Sequence, residues 1–421
     1  MDTQTCIRTL GEQARVAARE LLAVNSRRKT AMLDGMADAV EAARDDILAA
    51  NARDMEQVAA EGLGASVEAQ LHLSPSRIQR MVRRIRDVSV LQNPVGVTIS
   101  RWLRPNGLEI VKKRVPIGVI ALIYESRPHV TADAAALCLK TSNAVILRGG
   151  HAAMQTNTAI ADALIEGGQS KGMPAHAVQF VRTPDYEAVR ELLGLQGLVD
   201  LAIPRGGGEL MQAVSECARV PVIKQFKGVC HTYVDAAADL DMAEAVVLNA
   251  KCEHPAMPNA TETLIVHRDL LDTFLPRICA ALAEAGVHVY GDERVQHNVA
   301  GVEPVPDGNW SMEYLDLAIS VRVVDAIEDA IAHINTHGTH HSDAIVTASD
   351  AASKRFVQDV DSAAVYVNAS TRFTDGAEFG MGAEVGVSTE KLHARGPMGL
   401  LELTTSKYII NGRGQIREPQ D

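Results

Sequence analysis

Basic residues form no long run in this sequence, and the formal net charge is −12 at pH 7. Proteins that follow a nucleic-acid backbone or an anionic membrane surface usually carry clustered Lys and Arg. The sequence also lacks an apolar run close to the roughly 18 residues that span a bilayer. We therefore expect neither nucleic acid nor a membrane among the partners of this protein.

Closely spaced cysteines are absent as well. The six cysteines are scattered without a Cys-x-x-Cys pair, whereas disulfide frameworks and structural zinc sites usually need paired cysteines. The N-terminal segment places Asp2, Glu12 and Arg15 among apolar residues, unlike the continuous apolar core of a signal peptide. These features predict reduced thiols, no structural metal and a cytoplasmic location.

The first part of the chain favours helices and then a hairpin. A length of 421 residues predicts two or three domains. Apolar positions recur at helical spacing through Ala31–Ala50, and Ser74-Pro75 is typical of a helix start. Two alternating runs within residues 97–114 flank Pro105-Asn106-Gly107, which predicts a β-hairpin. Its ribbon 108–112 could add to a sheet of a neighbouring subunit.

From residue 115 onwards, short apolar runs alternate with glycine turns and helical stretches. The first block predicts strands at 119–123, 144–147, 178–181 and 198–203, with helices at 132–141 and 156–166. The second block predicts strands at 231–234, 262–266, 320–324, 344–347 and 364–367, with helices at 242–250, 270–285 and 326–333. Apolar strands connected by helices are typical of parallel sheets covered on both faces. The pattern predicts an α/β fold with a doubly wound sheet.

Two glycine turns follow predicted strands, Arg148-Gly149-Gly150 and Arg205-Gly206-Gly207. Glycine lets the backbone approach a phosphate, the next helix N-terminus offers free N–H groups, and arginine binds phosphate through two N–H groups. Neither turn is a GxGxxG motif or a P-loop, so an ordinary strand-to-helix connection explains each turn equally well. Together with Lys140, the two turns favour a phosphate-bearing ligand.

Four histidines lie close together near the end of the second block, His333, His337, His340 and His341. His337 and His341 have the i, i+4 spacing of paired metal ligands. The glycine after His337 interrupts any helix there, and no carboxylate occupies the position of an HExxH motif. A polar loop explains these histidines better than a metal site.

Polar side chains also follow the last predicted strand. The segment from Asn368 to Arg372 lies at the carboxyl end of that strand, where parallel sheets usually bind ligands. Further on, Glu378-Phe379-Gly380 could hold a ribose through its carboxylate. A surface turn explains this second segment equally well.

Several blocks of the chain closely resemble the gamma-glutamyl phosphate reductase family, a branch of the aldehyde dehydrogenase superfamily. The blocks are Arg114–Ile120, Tyr124–Pro128, Leu139–Gly150, Ile203–Gly207, Gly228–His231, His337–Ile345, Val365–Asp375 and Leu392–Gly399. They follow the family order and extend over nearly the whole chain.

The resemblance implies an aldehyde-dehydrogenase-like α/β fold and an enzyme of proline biosynthesis. Such an enzyme reduces L-glutamate 5-phosphate, a small-molecule substrate, with NADPH and gives L-glutamate 5-semialdehyde and phosphate. The implied domains are a cofactor-binding domain at 1–228, interrupted by an oligomerisation hairpin at 97–114, and a catalytic domain at 229–376. Residues 377–421 would return to the cofactor domain and form a C-terminal oligomerisation segment, so a homo-oligomer is expected.

The resemblance also assigns residues to the two ligands. The residues expected to bind NADPH are Lys140, Arg148, Gly149, Gly150, Arg205, Gly206, Gly207, Glu378 and Phe379. Glu378 and Phe379 would contact the nicotinamide ribose. Arg127, Asn368 and Arg372 would lie on the substrate side.

One position departs from the family where its chemistry takes place. The family's thiolate attacks the acyl phosphate, expels phosphate and leaves a thioester that accepts hydride. The catalytic cysteine stands directly before an asparagine. Aligned on Lys251, Pro255 and Asn259, this chain carries Pro258 at that position and His254 in place of a family arginine. Proline supplies neither a nucleophile nor an N–H donor.

Three functions therefore stay open. The first is the NADPH-dependent reduction of L-glutamate 5-phosphate. The second is a catalytically silent homologue that binds a nucleotide or a partner subunit. The third is a reductase of another activated carboxylate by a non-covalent route, which would depend on orientation and oxyanion stabilisation. Cys230 and Cys252 are the nearest alternative thiols, although small buried structural cysteines explain them better.

Overall fold

The structure is a computed structural model that describes residues 2–125, 127–224 and 227–417. Residue 126 of the block Tyr124–Pro128 and residues 418–421 of the C-terminal segment lie outside the described residues. The chain divides into two compact units. Unit 1 comprises Met1–Lys224, Gly380–Gly386 and Met398–Asp421, and unit 2 comprises Gln225–Phe379 and Val387–Pro397.

The helices and strands follow one another as in an α/β protein. The α-helices are α1 Thr3–Leu21, α2 Ser26–Ala42, α3 Arg44–Glu61, α4 Ala65–Leu71, α5 Pro75–Val90, α6 His129–Lys140, α7 Met154–Ser170, α8 Tyr186–Leu193, α9 Gly208–Cys217, α10 Leu240–Cys252, α11 Phe274–Glu284, α12 Glu293–Asn298, α13 Ile327–His337 and α14 Asp350–Asp359. The strands are β1 Thr98–Leu103, β2 Glu109–Pro116, β3 Val119–Tyr124, β4 Ala144–Arg148, β5 Val178–Phe180, β6 Leu201–Arg205, β7 Cys230–Val234, β8 Thr261–His267, β9 His288–Gly291, β10 Glu303–Pro304, β11 Ala318–Val324, β12 Ser342–Val346, β13 Ala364–Val367, β14 Val387–Ser388, β15 Gly396–Pro397 and β16 Thr404–Asn411. Among the described residues, no helix combines the length and apolar character that crossing a bilayer requires.

Three of the five N-terminal helices, α1, α2 and α5, begin at capping side chains. Ser74 accepts a hydrogen bond from the backbone N–H of Arg77 and Pro75 occupies the first turn, so the predicted start of α5 is confirmed. The helical spacing predicted through Ala31–Ala50 is confirmed and is divided between α2 and α3, because the backbone leaves helical geometry at Ala43 and α3 starts there anew. Two aspartates in the first turn of α3 favour that new start through the helix dipole.

Unit 1 is built around a four-stranded parallel sheet of order β5-β4-β3-β6. All residues of β3 and β4 are buried, as expected for central strands between two layers of helices. The crossover helices α6 and α7 link β3 to β4 and β4 to β5. The predicted parallel α/β fold is confirmed.

The predicted hairpin is present, and a third strand completes it. β1 pairs with β2, and β16 pairs with β2 along its other side, which gives the antiparallel order β1-β2-β16. Residues 109–112 of the predicted ribbon 108–112 belong to β2. The expectation that this ribbon adds to a neighbouring sheet is therefore wrong, because both of its edges already hydrogen-bond within the chain.

Unit 2 contains a seven-stranded sheet of order β10-β9-β11-β8-β7-β12-β13, with every pair parallel. The apolar residues of β8, β11 and helices α10 and α11 form a buried core on one side of it. Residues 387–397 belong to this unit, although the sequence assigned them to the first domain. Lys391 and Arg395 attach this segment to unit 2 through ion pairs with Asp361, while the pairing of β14 with β15 joins the two ends of the segment.

Candidate active site

In unit 1, the two predicted glycine turns lie beside each other. Arg148 pairs with Ile123 and Arg205 pairs with Tyr124, so the two turns flank the carboxyl end of β3. The second turn leads directly into α9, whose N-terminus begins at Gly207 and Gly208. The topology therefore brings both arginines to the edge of the sheet where parallel α/β proteins bind ligands.

The glycines of these turns differ in the space that a side chain would find at each position. A Cβ at Gly149 would collide with the amide of Asn157, and one at Gly206 would collide with the carboxylate of Glu125. At Gly208, by contrast, a Cβ would meet no heavy atom within 4 Å. Open space at a helix N-terminus is what an incoming phosphate needs, whereas a side chain at either of the first two positions would have to displace Asn157 or Glu125.

Positive charge concentrates at this edge of unit 1. Burial, and then the charges of Arg84, Arg127, Arg205 and Arg77, lower the pKa of His129 to about 3. Burial and the neighbouring Arg127 lower the pKa of Arg205 to about 10. An anion bound here would relieve this repulsion. His129 was not singled out from the sequence, and its only sequence signal is its place directly after Arg127-Pro128.

Arg148 is the more buried arginine of the two turns, with 5% of its surface exposed. One of its terminal nitrogens donates to the carbonyl oxygen of Pro184 at 2.7 Å, and its buried Nε has no hydrogen-bond partner among the described residues. Burial lowers its pKa. A buried guanidinium with an unused N–H donor can bind an anionic ligand.

Lys140 does not lie with these arginines. It ends α6, which starts after the carboxyl end of β3 and returns over about 18 Å to the amino end of β4. Its ammonium group is buried and donates to the carbonyl oxygen of Ser89 on α5. The grouping of Lys140 with the glycine turns is therefore wrong, because the helix between them places it at the opposite edge of the sheet.

In unit 2, Pro258 occupies a tight turn. The N–H of Ala260 donates to the carbonyl oxygen of Met257 at 2.9 Å, which makes Pro258 and Asn259 the two central residues. Proline favours the first central position of such turns, where its nitrogen needs no hydrogen-bond partner. The carbonyl oxygen of Pro258 packs against Gly228, where any Cβ would collide with it.

The two alternative thiols are poor nucleophiles. Cys230 is fully buried and donates from its sulfur to the carbonyl oxygen of Pro258 at 3.1 Å, so it is a protonated thiol in this arrangement. Burial raises the pKa of Cys230 well above its usual value. Burial also raises the pKa of Cys252, whose side chain packs against the core of unit 2. Neither cysteine has the depressed pKa of a reactive thiol.

Asn259 and Arg372 connect two loops of unit 2. The Asn259 amide donates to the carbonyl oxygens of Arg372 at 3.2 Å and Thr374 at 3.0 Å, and its Oδ1 accepts from the Arg372 guanidinium. The hydroxyl of Thr371 donates to the carbonyl oxygen of Asn259 at 2.7 Å. This clamp holds the Pro258 turn against the loop that follows β13.

The remaining predicted residues of unit 2 differ in their hydrogen bonding and in their exposure to solvent. Asn368 uses both ends of its amide on the backbone of Thr347, at 2.9 Å each. Glu378 and Phe379 are exposed, and the N–H of Phe379 donates to the carbonyl oxygen of Asp375. The sequence left two interpretations of this segment open, a ribose contact and an ordinary surface turn. An exposed position is compatible with both.

The four histidines do not form one cluster. His333 and His337 share a face of α13 with ring centroids 4.6 Å apart, whereas His341 is buried beside Ser342 at the start of β12. The predicted interruption after His337 is confirmed, since α13 ends there. Among the residues that the structure describes, no group of three or more His, Cys, Asp or Glu side chains is placed to hold a metal ion.

A buried ion pair near the Pro258 turn was missed from the sequence. Lys251 at the end of α10 donates to Glu262 of β8 at 2.8 Å, and both side chains are fully buried. The ammonium group also lies 5.9 Å from the centre of the Tyr314 ring. No local pattern distinguishes these two residues from the other polar residues of α10 and β8, so only the fold reveals the pair.

The sequence and the fold match those of known proteins. Residues 1–299 match the model of the aldehyde dehydrogenase family, and the chain belongs to that family. Within it, the chain belongs with the gamma-glutamyl phosphate reductases, which confirms the resemblance found in its sequence.

Two relatives and two solved structures support this placement. The chain is 50% identical to the gamma-glutamyl phosphate reductase of Moorella thermoacetica over 412 residues, which cover 98% of this chain and 99% of the relative. It is 48% identical to that of Thermobifida fusca over 416 residues, with coverage of 99% and 100%. The crystal structure of gamma-glutamyl phosphate reductase from Thermotoga maritima matches with a TM-score of 0.95 and 41% identity, over 98% of this chain and 100% of the other. An acetylating aldehyde dehydrogenase from Geobacillus thermoglucosidasius shares the fold, with a TM-score of 0.72 and 16% identity over 99% and 98% of the two chains.

Proposed function

We propose that this protein reduces L-glutamate 5-phosphate with NADPH to L-glutamate 5-semialdehyde and phosphate, as a step of proline biosynthesis. The observation that carries the proposal is the cationic edge of unit 1, where Arg148 and Arg205 flank β3 beside the open N-terminus of α9. Both the cofactor and the acyl phosphate are strongly anionic, so both suit such a surface.

The residues of unit 1 fit a dinucleotide phosphate. The unused Nε of Arg148 and the free space at Gly208 are a donor and a cradle for phosphate oxygens. Glu125, which accepts the N–H of Gly207 at 2.9 Å, would have to yield that donor to a ligand. When bound, NADPH supplies the hydride.

Without a thiol, the acyl phosphate has to be reduced directly. Hydride adds to the acyl carbon, the carbonyl π electrons move to its oxygen, and the resulting oxyanion collapses as the bond to phosphate breaks. The chain contributes positioning and charge, because Arg372 and the Pro258 turn supply no nucleophile. Orientation alone can contribute several orders of magnitude to such a step, but the loss of a covalent nucleophile commonly costs about 10⁴- to 10⁶-fold in rate.

A second candidate is a homologue that binds these ligands without turning them over. The specific observation that favours it is the turn itself, in which proline is a preferred residue, together with the raised pKa of both alternative thiols, the buried Cys230 and the partly buried Cys252. A third candidate, the reduction of another activated carboxylate, would use the same direct route with a different acyl group.

The wild-type assay separates these candidates. NADP reduction would be measured with L-glutamate 5-semialdehyde and phosphate, the reverse reaction, on the unmodified chain. Turnover that depends on both substrates supports the first proposal. No turnover together with measurable NADPH binding supports the silent homologue, and turnover only with another acyl phosphate supports the third candidate.

The binding of NADPH tests the cationic edge directly. We expect Arg148→Met to raise the Kd for NADPH about 10- to 100-fold, because one or two charge-assisted hydrogen bonds are lost. Fluorescence titration of NADPH measures this change. Arg86→Met is the matched control, since Arg86 pairs with Asp38 and Glu41 on the helical layer of the same unit. Equal Kd values for the two variants would contradict the assignment of Arg148, and urea unfolding of each variant checks the fold.

We also propose a homo-oligomer formed through the three-stranded sheet β1-β2-β16. This sheet exposes large apolar side chains in its outer strands, among them Trp102 and Leu103 on β1 and Tyr408 and Ile410 on β16. Exposed apolar residues concentrated on one small sheet are typical of an interface. Light scattering on the eluted protein gives the mass, and a monomer of 45.2 kDa would contradict the proposal.

A further inference from the structure

Arg372, which the resemblance assigns to the substrate, already has an anionic partner in this chain. Its Nε donates to Oε2 of Glu253 at 2.7 Å, and one terminal nitrogen lies 2.7 Å from the same oxygen in an ion pair. The other terminal nitrogen donates to Oδ1 of Asn259. A guanidinium binds a carboxylate or phosphate through two N–H groups, either Nε with one terminal nitrogen or the two terminal nitrogens together. In Arg372 the second of these edges is already bonded to Asn259, which leaves the Nε edge. In Arg372 that edge is occupied by Glu253.

The two partners differ in how firmly they are held. The side chain of Arg372 is only 16% exposed and is fixed by Asn259, whereas that of Glu253 is 53% exposed. Glu253 also follows the last turn of α10 as its C-cap, where the helix dipole opposes a negative charge. Half-exposed ion pairs contribute little to stability. Glu253 is therefore the displaceable member of the pair.

We propose that Glu253 acts as a resident counter-ion that competes with anionic substrates for Arg372 and so sets the anion affinity of the unit 2 site. An oxyanion reaches the Nε edge of Arg372 only when the Glu253 carboxylate moves into solvent. The inference rests on the proposed function in taking Arg372 as a substrate-side residue. Two oxyanions of the reaction qualify, the carboxylate of a glutamyl compound and phosphate, and separate titrations distinguish them.

The test is a binding measurement on the full chain without cofactor. Isothermal titration with inorganic phosphate and, separately, with L-glutamate gives the Kd for each oxyanion. We expect Glu253→Gln to lower the Kd for at least one of them about tenfold or more, because the neutral amide cannot match a carboxylate at a guanidinium. Glu253→Asp keeps the charge and is expected to bind close to the wild type.

Glu244→Gln is the matched control. Glu244 lies on the same helix, α10, and pairs through Oε2 with Nε of Arg277 at 2.6 Å. The substitution removes the same charge and the same kind of ion pair, so we expect less than about a twofold change in either Kd. The double variant Glu253→Gln/Arg372→Met should lose the gain, since the guanidinium is what binds the anion.

Each outcome decides the matter. Unchanged Kd values in Glu253→Gln, for both oxyanions, would show an ordinary structural ion pair and overturn the proposal. Equal decreases in Kd for Glu253→Gln and Glu244→Gln would attribute the effect to general charge repulsion and overturn the proposal. A decrease in Kd that persists in the double variant would exclude Arg372 as the group that binds the anion. The result does not depend on turnover, so an inactive wild-type enzyme would refute the proposed reaction and leave the competition by Glu253 to be decided by these titrations alone.

Discussion

Replacing Pro258 by cysteine is expected to raise the rate of phosphate-dependent NADP reduction about 10³-fold or more over the wild-type protein. The substitution returns a nucleophile that can form a thioester, and covalent catalysis of this kind commonly contributes about 10⁴- to 10⁶-fold. The turn tolerates the change, since the first central position accepts most residues. The new residue also brings an N–H donor that proline lacks. Initial rates at saturating semialdehyde, phosphate and NADP measure the effect.

Two further variants test whether the increase in rate requires a thiol at position 258 or whether another residue there, or a thiol elsewhere, has the same effect. Pro258→Ser provides a weaker nucleophile in the same turn, and Pro255→Cys introduces the same thiol three residues earlier. We expect neither to gain more than a small factor. A rate in Pro258→Cys that does not exceed these two would mean that the site around the turn has also lost its catalytic arrangement. Inactivation of Pro258→Cys alone by iodoacetamide would locate the gain at the new sulfur.

Lys251→Met is expected to destabilise unit 2 by about 3 to 5 kcal/mol at pH 8. The side chain is buried in an ion pair with Glu262, and its loss removes the positive charge that faces this buried carboxyl group. The shift of the urea midpoint measures the effect. Lys391→Met, which breaks an exposed pair with Asp361, is the matched control and should cost less than about 1 kcal/mol.

The effect of Lys251→Met depends on pH in a defined direction. Burial already raises the pKa of Glu262 to about 7, while Lys251 opposes the rise. Without Lys251 the folded-state pKa rises further above the unfolded value. A raised carboxyl pKa favours the folded state while the group is protonated, and this contribution is lost as the pH rises from about 4.5 through the folded-state pKa. The variant should therefore be closer to the wild type at pH 5 than at pH 8. A constant difference, or full stability at pH 8, would contradict the buried pair.

The parallel strands were largely predictable because they are buried on both faces. Runs such as Val119–Tyr124 and Ala144–Arg148 are nearly continuous in apolar residues, and the structure places them at the centre of a sheet. Strand β16 and helices α8, α9 and α14 were missed. Helix α9 follows a glycine turn and helix α14 is mostly exposed, so neither shows a strong apolar period. The pairing of β16 with β2 joins residues almost three hundred positions apart, for which no local pattern exists.

The candidate site residues likewise divide into those that a local sequence pattern identified and those that only the fold identified. Arg148 and Arg205 were found because each ends a recognisable strand before glycine. Lys140 was misplaced because a short distance along the chain spans a whole helix. The pair of Glu253 and Arg372 escaped notice, since neither residue is unusual alone and only the fold brings the end of α10 to the loop after β13.

By itself, the sequence determined the family and the parallel α/β architecture, and it placed Pro258 where the resemblance expects the thiol. These depend on residue identities and local periodicity, which a linear chain displays in full. Only the tertiary structure decided that Cys230 is a buried donor, that Lys140 lies at the far edge of its sheet and that Arg372 already holds a carboxylate. Burial and long-range pairing set the charge state and availability of a side chain, and both arise only when distant segments pack together.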